Sequence, residues 1–155
     1  MAELKLLRGQ IAIVDDEDLP RVSGHKWYVD SEGYVAATIN KRKVLLHRLI
    51  LGSPTDLLTD HKHHDLLDCR KYQLRQATGH QNQGNRRKLA ETSSRFKGVS
   101  WCSRTKKWVA SIGADSNGKH RVLFLGRFTD EIEAAKAYNA AALKHFGNFA
   151  YLNRI

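Results

Sequence analysis

Alternating and clustered apolar positions in the first third of the chain predict short β-strands. Residues 11–14 alternate weakly and lead into an acidic turn. Residues 26–29 and 34–39 flank a Ser-Glu-Gly turn and predict a hairpin, and an apolar run follows at residues 44–51. We therefore expect residues 1–51 to form a β-meander, which a Gly-Ser-Pro sequence ends.

The last third of the chain carries three strand-like segments, at residues 96–101, 107–113 and 121–128. Asn117-Gly118 predicts a tight turn between the second and third segments. These patterns predict a three-stranded antiparallel sheet.

A helix is predicted to follow this sheet. Thr129 can cap its first turn, where two acidic residues favour the positive end of the helix dipole. Six alanines between residues 134 and 142 give a high helix propensity, and Gly147 can end the helix. Because alanine is small, the helix can lie close to the sheet. We expect it to cover one sheet face and to leave the other open.

The middle of the chain separates these two patterns. Residues 58–88 are polar and rich in histidine, with little periodicity, and this composition suits a site more than a core. Residues 89–94 have the composition of a linker. The expected fold class is therefore α+β, with two units joined by that linker.

The chain of 155 residues has a formal net charge of +10, and its basic excess lies in the middle. Residues 41–128 hold 19 Lys and Arg against six Asp and Glu, whereas residues 1–40 carry a net charge of −3. Such a block is expected of a surface that binds a polyanion, because neutralised phosphates release counterions. A solubilising basic face is an equal alternative from charge alone. The nearby Trp101, Trp108 and His120 favour nucleic acid.

The same composition excludes several classes of protein. The apolar runs are too short for a membrane span, which needs about 18 residues. The first residues lack the apolar core of a signal peptide, so we expect no export and no membrane partner. Cys69 and Cys102 are too few for a disulfide scaffold.

Residues 94–153 carry a nearly continuous set of motifs. They are SRFKGVSW at 94–101, KWVASI at 107–112, LGRF at 125–128, AAKAY at 134–138 and FGNFAYLN at 146–153. These motifs closely resemble the APETALA-two/ethylene-response-factor (ERF) DNA-binding domain. The resemblance implies that the open sheet face lies in the major groove of DNA, which admits such a face.

The ERF resemblance also supplies candidates for DNA contact. They are Arg95, Lys97, Trp101, Arg104, Lys107, Trp108, Lys119 and Arg121. Core packing is an equal alternative for Trp108 and for Phe124. The plant domains place arginines along the first strand where this chain has Lys97, Ser100 and Cys102, so their target sequence is not carried over.

A second set of motifs covers residues 1–88. They are LRGQIAIVD at 7–15, HRLI at 47–50, TDH at 59–61, LDCR at 67–70 and QNQGN at 81–85. They resemble the HNH homing-type endonucleases of phages, several of which append the plant-type domain at the C-terminus. The resemblance implies an HNH endonuclease domain at residues 1–88, with a ββα-metal core at about 58–88, and a DNA-binding domain at 95–155.

The HNH resemblance assigns the chemistry of the first domain. Asp60 is implied as a ligand of one divalent metal, Mg or Mn, and His61 as the general base. Asn82, on a short helix capped by Thr78, is implied as the second metal ligand. Successive strand residues point to opposite faces, so we expect Asp60 and His61 at a strand end or distortion. Four arginines are expected to hold the DNA backbone near the cut: Arg70, Arg75, Arg86 and Arg87.

Two positions depart from the HNH pattern. The family has asparagine where this chain has Cys69 and Gln73. The amide of Gln73 can still orient the catalytic histidine, but its extra methylene demands a different backbone distance. The rate of cleavage therefore depends on how Gln73 is placed.

The other histidines carry weaker expectations. His47 lies in an apolar run and is expected to be a satisfied structural histidine. His63 and His64 are expected to be exposed or to contact phosphate. A zinc site built from the histidines of this loop and Cys69 is less favoured, because the paired spacing of zinc motifs is absent. His80 is a less favoured second metal ligand.

The sequence thus predicts a metal-dependent endonuclease that nicks or cuts double-stranded DNA. We expect a monomer that acts in the cytoplasm of a bacterial host and derives from a phage or prophage. The alternative is a non-catalytic DNA-binding transcriptional regulator with a degenerate HNH unit. A basic RNA-associated module is a third and weaker alternative, because the sequence holds no RNA-binding motif.

Overall fold

The computed structural model of the chain describes residues 1–88, 92–116 and 119–155, without the side chains of residues 115, 116, 119 and 120. The chain divides into two compact units, Met1–Thr78 and Gly79–Ile155. Both combine helices with small antiparallel sheets, so the predicted α+β class is confirmed. The first half of the predicted linker and the predicted turn at Asn117-Gly118 lie outside the described residues.

The first unit is built from short strands and two short helices. They are β1 (Ala2–Lys5), β2 (Ile11–Val14), α1 (Leu19–Val22), β3 (Tyr28–Val29), β4 (Val35–Ile39), β5 (Arg42–Leu45), α2 (Leu46–Leu51), β6 (Leu58–His61) and β7 (Leu74–Ala77). Strands β1 and β2 pair, β3, β4 and β5 form a three-stranded meander, and β6 pairs with β7, all antiparallel. The predicted hairpin is therefore confirmed as part of the meander.

The apolar run that follows the meander is helical. Residues 46–51 form α2, so the strand predicted across this run ends at Leu45. Leu46 and Ile50, one helical turn apart, are both buried in the core, and Gly52 ends the helix at φ +62°. A short apolar run suits a buried helix as well as a buried strand, and here the helix packs.

The loop between β6 and β7 is bonded to strand β2. The N–H of Ile13 donates to the carbonyl of Leu67, and the N–H of Cys69 donates to the carbonyl of Ile13, each over 2.8 Å. Cys69 is also fully buried in the same core as Val14 and Trp27. Main-chain bonds and a core side chain therefore fix this polar loop to the N-terminal strands.

The second unit is a sheet covered by a helix. Its elements are α3 (Gly79–Asn85), β8 (Val99–Cys102), β9 (Lys107–Ser116), β10 (Lys119–Phe128), α4 (Glu131–Phe146) and a short 3-10 helix (Gly147–Phe149). The strand order is β10-β9-β8, all antiparallel. Helix α4 packs on this sheet through the fully buried Ala134, Ala135 and Ala142. The predicted three-stranded sheet with one covering helix is confirmed.

Strand β8 begins later than predicted. It starts at Val99, because the residues before it turn: the N–H of Lys97 donates to the side-chain oxygen of Asn153 over 2.7 Å, and Gly98 has a φ of +74°. A Cβ atom at Gly98 would lie 2.0 Å from the ring of Tyr138. Only glycine fits between the sheet and helix α4 at this point.

Helix α4 also begins one residue later than predicted. Asp130 is the N-cap, and its Oδ1 accepts hydrogen bonds from the N–H groups of Ile132 (2.6 Å) and Glu133 (3.1 Å). The prediction of Thr129 as the cap is therefore wrong. The predicted end is confirmed, since α4 stops at Phe146 and Gly147 follows with a φ of +52°.

None of the described helices combines the length and the apolar character that a bilayer crossing requires.

Candidate active site

Asp60 and His61 lie at the end of strand β6. The strand ends at His61, after which the N–H of Lys62 donates to the carbonyl of Gln73 over 2.9 Å. The side chains are buried, with 6% of Asp60 and 4% of His61 exposed. The predicted strand end is confirmed. These two residues are the last two of β6, and the sequence assigns both to chemistry.

Arg75 lies directly opposite Asp60 in the ladder of β6 and β7. Its Nε and Nη2 atoms both lie 2.7 Å from Asp60 Oδ2. Such a partner is needed because a buried carboxylate without a compensating charge is strongly unfavourable. The sequence assigns Arg75 to the DNA backbone, whereas the structure pairs its guanidinium with the carboxylate implied as a metal ligand.

His61 belongs to a cluster of three rings. Its centroid lies 4.9 Å from that of His47, on helix α2, and 6.2 Å from that of Tyr34, just before strand β4. The rings of His47 and Tyr34 lie 5.1 Å apart. The meander, helix α2 and strand β6 therefore all contribute to the surroundings of the predicted base.

His47 is buried, but it is not the satisfied histidine that the sequence predicts. Among the described residues, its Nδ1 has no hydrogen-bond partner. Burial, and then the nearness of His61, lowers the pKa of His47 to about 3. Burial also lowers the pKa of His61, and the charge of Asp60 opposes this only in part. Both imidazoles are therefore neutral near pH 7, and a neutral imidazole can accept a proton.

A second buried carboxylate, Asp68, lies in the loop that follows β6. Arg70 closes on it from one side, with Nε 2.8 Å from Oδ1 and Nη2 2.5 Å from Oδ2. The hydrogen bonds from Arg70 lower the pKa of Asp68. The guanidinium of Arg70 also lies 4.6 Å from the ring centroid of Tyr72. Arg70, predicted to hold DNA, is thus engaged within its own loop.

The side-chain amide of Gln73 makes hydrogen bonds to three side chains of this loop. Its Nε2 donates to Asp68 Oδ2 (3.1 Å) and to the hydroxyl of Tyr72 (3.2 Å). Its Oε1 is bonded to Nδ1 of His63. The sequence predicts that this amide orients His61. In the structure the Gln73 amide is instead bonded to His63, which is exposed.

The residues that the sequence assigns to a metal ion carry oxygen donors. Among the described residues, no three His, Cys, Asp or Glu side chains are grouped so as to hold a metal ion, so the zinc alternative gains no support. The carboxylate of Asp60 is in the first unit and the amide of Asn82 is on helix α3 of the second unit, and each carries an oxygen donor. Oxygen ligands with several positions left to water or substrate are what Mg²⁺ prefers. His80 packs its ring 4.8 Å from that of Phe146.

The sheet of the second unit has one covered face and one open face. Trp101 and Trp108 are cross-strand partners with ring centroids 5.0 Å apart, and they share the face of the buried Ala110 under α4. We call the opposite side the open face. By the alternation of the strands, it carries Ser100, Lys107, Val122, Phe124 and Arg127.

Trp108 and Phe124, for which the sequence allows either core packing or DNA contact, lie in different surroundings. Trp108 is half-buried and packs against the core around Phe96 and Ala110, whereas Phe124 is 58% exposed on the open face. Core packing is therefore wrong for Phe124. Arg127 lies over the Phe124 ring, 5.1 Å from its centroid.

The other predicted DNA contacts occupy varied positions in the second unit. The ammonium of Lys97 is half-buried and donates to the carbonyl of Gly84 over 2.7 Å, and burial, followed by the charge of Arg86, lowers the pKa of Lys97 to about 8. Arg86 and Arg87 line one cavity together with Lys97. The remaining predicted contacts are exposed, apart from Lys119, of which only the backbone is described: Arg95, Arg104, Lys107 and Arg121.

Comparison with known proteins identifies the family. A protein of Acanthamoeba polyphaga mimivirus, named as an uncharacterized HNH endonuclease, is 34% identical over 155 residues, an alignment that spans 96% of this chain and 77% of that protein. The chain belongs to the HNH endonuclease family. No family model matches the chain, and no solved structure matches it.

Membership of the HNH endonuclease family confirms the nuclease prediction and suggests DNA as the partner. Sequence reasoning missed three parts of the candidate site, namely the ring contacts of His47 and Tyr34 and the bond between Gln73 and His63. The only sequence signal for them was the presence of histidines, which does not state which side chains meet.

Proposed function

We propose that this HNH endonuclease hydrolyses phosphodiester bonds of double-stranded DNA, by nicking or cutting, with His61 as the general base. The observation that carries the proposal is a neutral, buried imidazole next to an ion-paired carboxylate at the end of β6. His61 takes a proton from water as the water oxygen attacks phosphorus. Proton transfer of this kind contributes about 10²–10⁴-fold to a rate.

We further propose one divalent ion, Mg or Mn, with Asp60 and Asn82 as its protein ligands. When bound, the ion supplies Lewis-acid stabilisation of the phosphate and the leaving oxygen. Arg75 holds Asp60 in place and balances its charge. The role of Asn82 as a ligand rests on the resemblance to phage HNH enzymes.

The second unit is proposed to bind duplex DNA in the manner of an ERF domain, with residues 95–155 as the DNA-binding domain. Its open face combines exposed cations, Lys107 and Arg127, with the exposed Phe124. A sheet face fits the major groove, and arginine can bond to the edge of guanine. The basic block at residues 41–128 supports this role through phosphate contacts.

One observation favours the alternative of a non-catalytic DNA-binding regulator. The amide of Gln73 is bonded to His63, Asp68 and Tyr72, and it does not serve His61 in the way the family pattern predicts. A base without that support is expected to be slower, and a sufficiently slow enzyme acts only as a DNA-binding protein.

Cleavage of supercoiled plasmid in Mg²⁺ or Mn²⁺ distinguishes the two functions. We expect the wild-type protein to yield relaxed or linear DNA and His61→Ala to be slower by at least about a hundredfold. The matched control is His25→Ala, which removes an exposed histidine of the same unit and should cleave normally. Salt-sensitive binding without cleavage by the wild type would instead support the regulator.

A further inference from the structure

A chain of hydrogen bonds joins a buried carboxylate to a surface imidazole through Gln73. The Nε2 of Gln73 donates to Asp68 Oδ2 over 3.1 Å, and its Oε1 is bonded to Nδ1 of His63. Asp68 is only 4% exposed, whereas His63 is exposed. We call these three side chains the relay.

The relay determines which nitrogen of His63 carries a proton. An ionised carboxylate only accepts hydrogen bonds, so the amide of Gln73 must turn its NH₂ group towards Asp68 and its carbonyl towards His63. The carbonyl accepts from Nδ1, so Nδ1 carries the hydrogen, and Nε2 is the atom left to meet a substrate. No other hydrogen bond of His63 is made within the described residues.

Gln73 departs from the HNH family pattern both in its length and in its partner. The family pattern has an asparagine here, and glutamine is one methylene longer. In this chain the Gln73 amide is hydrogen-bonded to His63, two residues beyond His61. The ring of His61 packs against the rings of His47 and Tyr34. His61 and His63 are therefore in different surroundings, since His61 is buried among rings and His63 is exposed and oriented by the relay.

We propose that His63 is a catalytic residue that protonates the leaving oxygen. This inference rests on the DNA cleavage proposed above. As water bonds to phosphorus, its proton passes to His61. The bond from phosphorus to the bridging oxygen breaks, and its electron pair stays on that oxygen. The oxygen takes a proton from Nε2 of His63, which enters the step as the imidazolium with hydrogens on both nitrogens and leaves it as the neutral ring with its hydrogen on Nδ1. Exchange with solvent then returns both imidazoles to their starting states.

Asp68 assists this step through position and charge. A buried carboxylate that orients an imidazole also stabilises its protonated form, as in the Ser-His-Asp arrangement of hydrolases. Here the neutral amide of Gln73 lies between the two groups, so Asp68 and Gln73 are positioning residues. Arg70 keeps Asp68 in place from the other side.

Two substrates with different leaving groups test the proposal. The alkoxide that leaves from DNA needs a proton, whereas the nitrophenolate of bis(4-nitrophenyl) phosphate leaves without one. We expect His63→Ala to lose about a hundredfold on plasmid DNA and to stay within about twofold of wild type on the nitrophenyl ester. His61→Ala should lose activity on both substrates, and His25→Ala on neither.

Each other outcome is decisive. An equal loss of His63→Ala on both substrates, or no loss on DNA, overturns the assignment of His63 and leaves the proposed endonuclease intact. Wild-type protein that cleaves neither substrate overturns the proposed function and this inference with it.

A measurement without substrate tests the relay itself. In ¹⁵N NMR spectra of the histidine rings, the resonances missing from His63→Ala identify His63. We expect its neutral form to carry the hydrogen on Nδ1 in the wild type and to lose that preference in Gln73→Leu. A neutral His63 with the hydrogen on Nε2 in the wild type would contradict the relay.

Discussion

The candidate active site of the first unit and the open face of the second unit hold their charged side chains in different surroundings. In the first unit, Asp60, Asp68, His47 and His61 are all less than a tenth exposed, and the two carboxylates are paired with arginines. In the second unit, the cations of the open sheet face point to solvent, and the core is made largely of alanine and aromatic side chains. Polar groups held in fixed positions suit the proposed bond cleavage, whereas accessible cations suit the proposed binding of a phosphate backbone.

The largest expected effect is a difference in reactivity between the two cysteines, one in each unit. Burial raises the pKa of the Cys69 thiol to about 12, so at pH 8 it holds about a thousandfold less thiolate than a thiol of pKa 9.0. Hydrogen bonds from Thr105 lower the pKa of the half-exposed Cys102. We expect iodoacetamide to modify Cys102 and to leave Cys69 unmodified in the folded protein, as mass spectrometry of digests would show. Equal labelling would mean that the first unit opens readily.

Removal of Arg75 should have the next largest effect. Arg75→Ala removes the ion pair between Arg75 and the buried Asp60, and we expect a loss of about 3 kcal/mol in the free energy of unfolding. Urea unfolding followed by Trp27, in a background of Trp101→Phe and Trp108→Phe, measures this for the first unit.

A second substitution tests the cause of that loss. Adding Asp60→Asn to Arg75→Ala removes the uncompensated charge and should restore part of the stability. If the double variant is no more stable than Arg75→Ala, the ion pair is not the reason for the loss.

The open face can be tested with two arginines of the same strand. Arg127→Ala removes a cation from the open face, and we expect about tenfold weaker binding to duplex DNA and a salt dependence reduced by about one counterion. Arg121→Ala is the matched variant, because the register places Arg121 on the side of helix α4. Titration of labelled DNA at several salt concentrations compares them. A larger effect for Arg121→Ala would assign binding to the other side of the sheet.

The smallest expected effect concerns the start of helix α4. Asp130→Ala removes the acceptor for two backbone N–H groups and should cost about 1 kcal/mol of stability. Thr129→Ala should change the thermal midpoint far less, since Thr129 makes no cap. Equal shifts in calorimetry would show that the cap contributes little to the second unit.

Strand and helix patterns of the sequence predicted the larger elements and the strand end at Asp60 and His61. That last expectation came from a general rule, because two adjacent residues of a regular strand face opposite sides. The ring cluster around His61 was not predictable, since His47 and Tyr34 lie far from it along the chain. The partner of Gln73 was missed because the sequence does not state which histidine of the loop its amide reaches.

A bulge in strand β10 could not be predicted from the sequence, and it changes which residues share the open face. Phe124 and Arg127 are three residues apart and would face opposite sides of a regular strand. The register of β10 shifts between Phe124 and Gly126, and this bulge brings both to the open face. Alternation alone therefore assigns one of them to the wrong side.

The bonds between Ile13 and the segment at residues 67–69 have a practical consequence for anyone who trims this protein. A fragment that starts near residue 58 retains every side chain of the relay, yet it lacks the strand that supports their loop and the neighbours that bury Cys69. The hairpin of β6 and β7 therefore depends on the N-terminal strands, and a graft onto another scaffold has to include them.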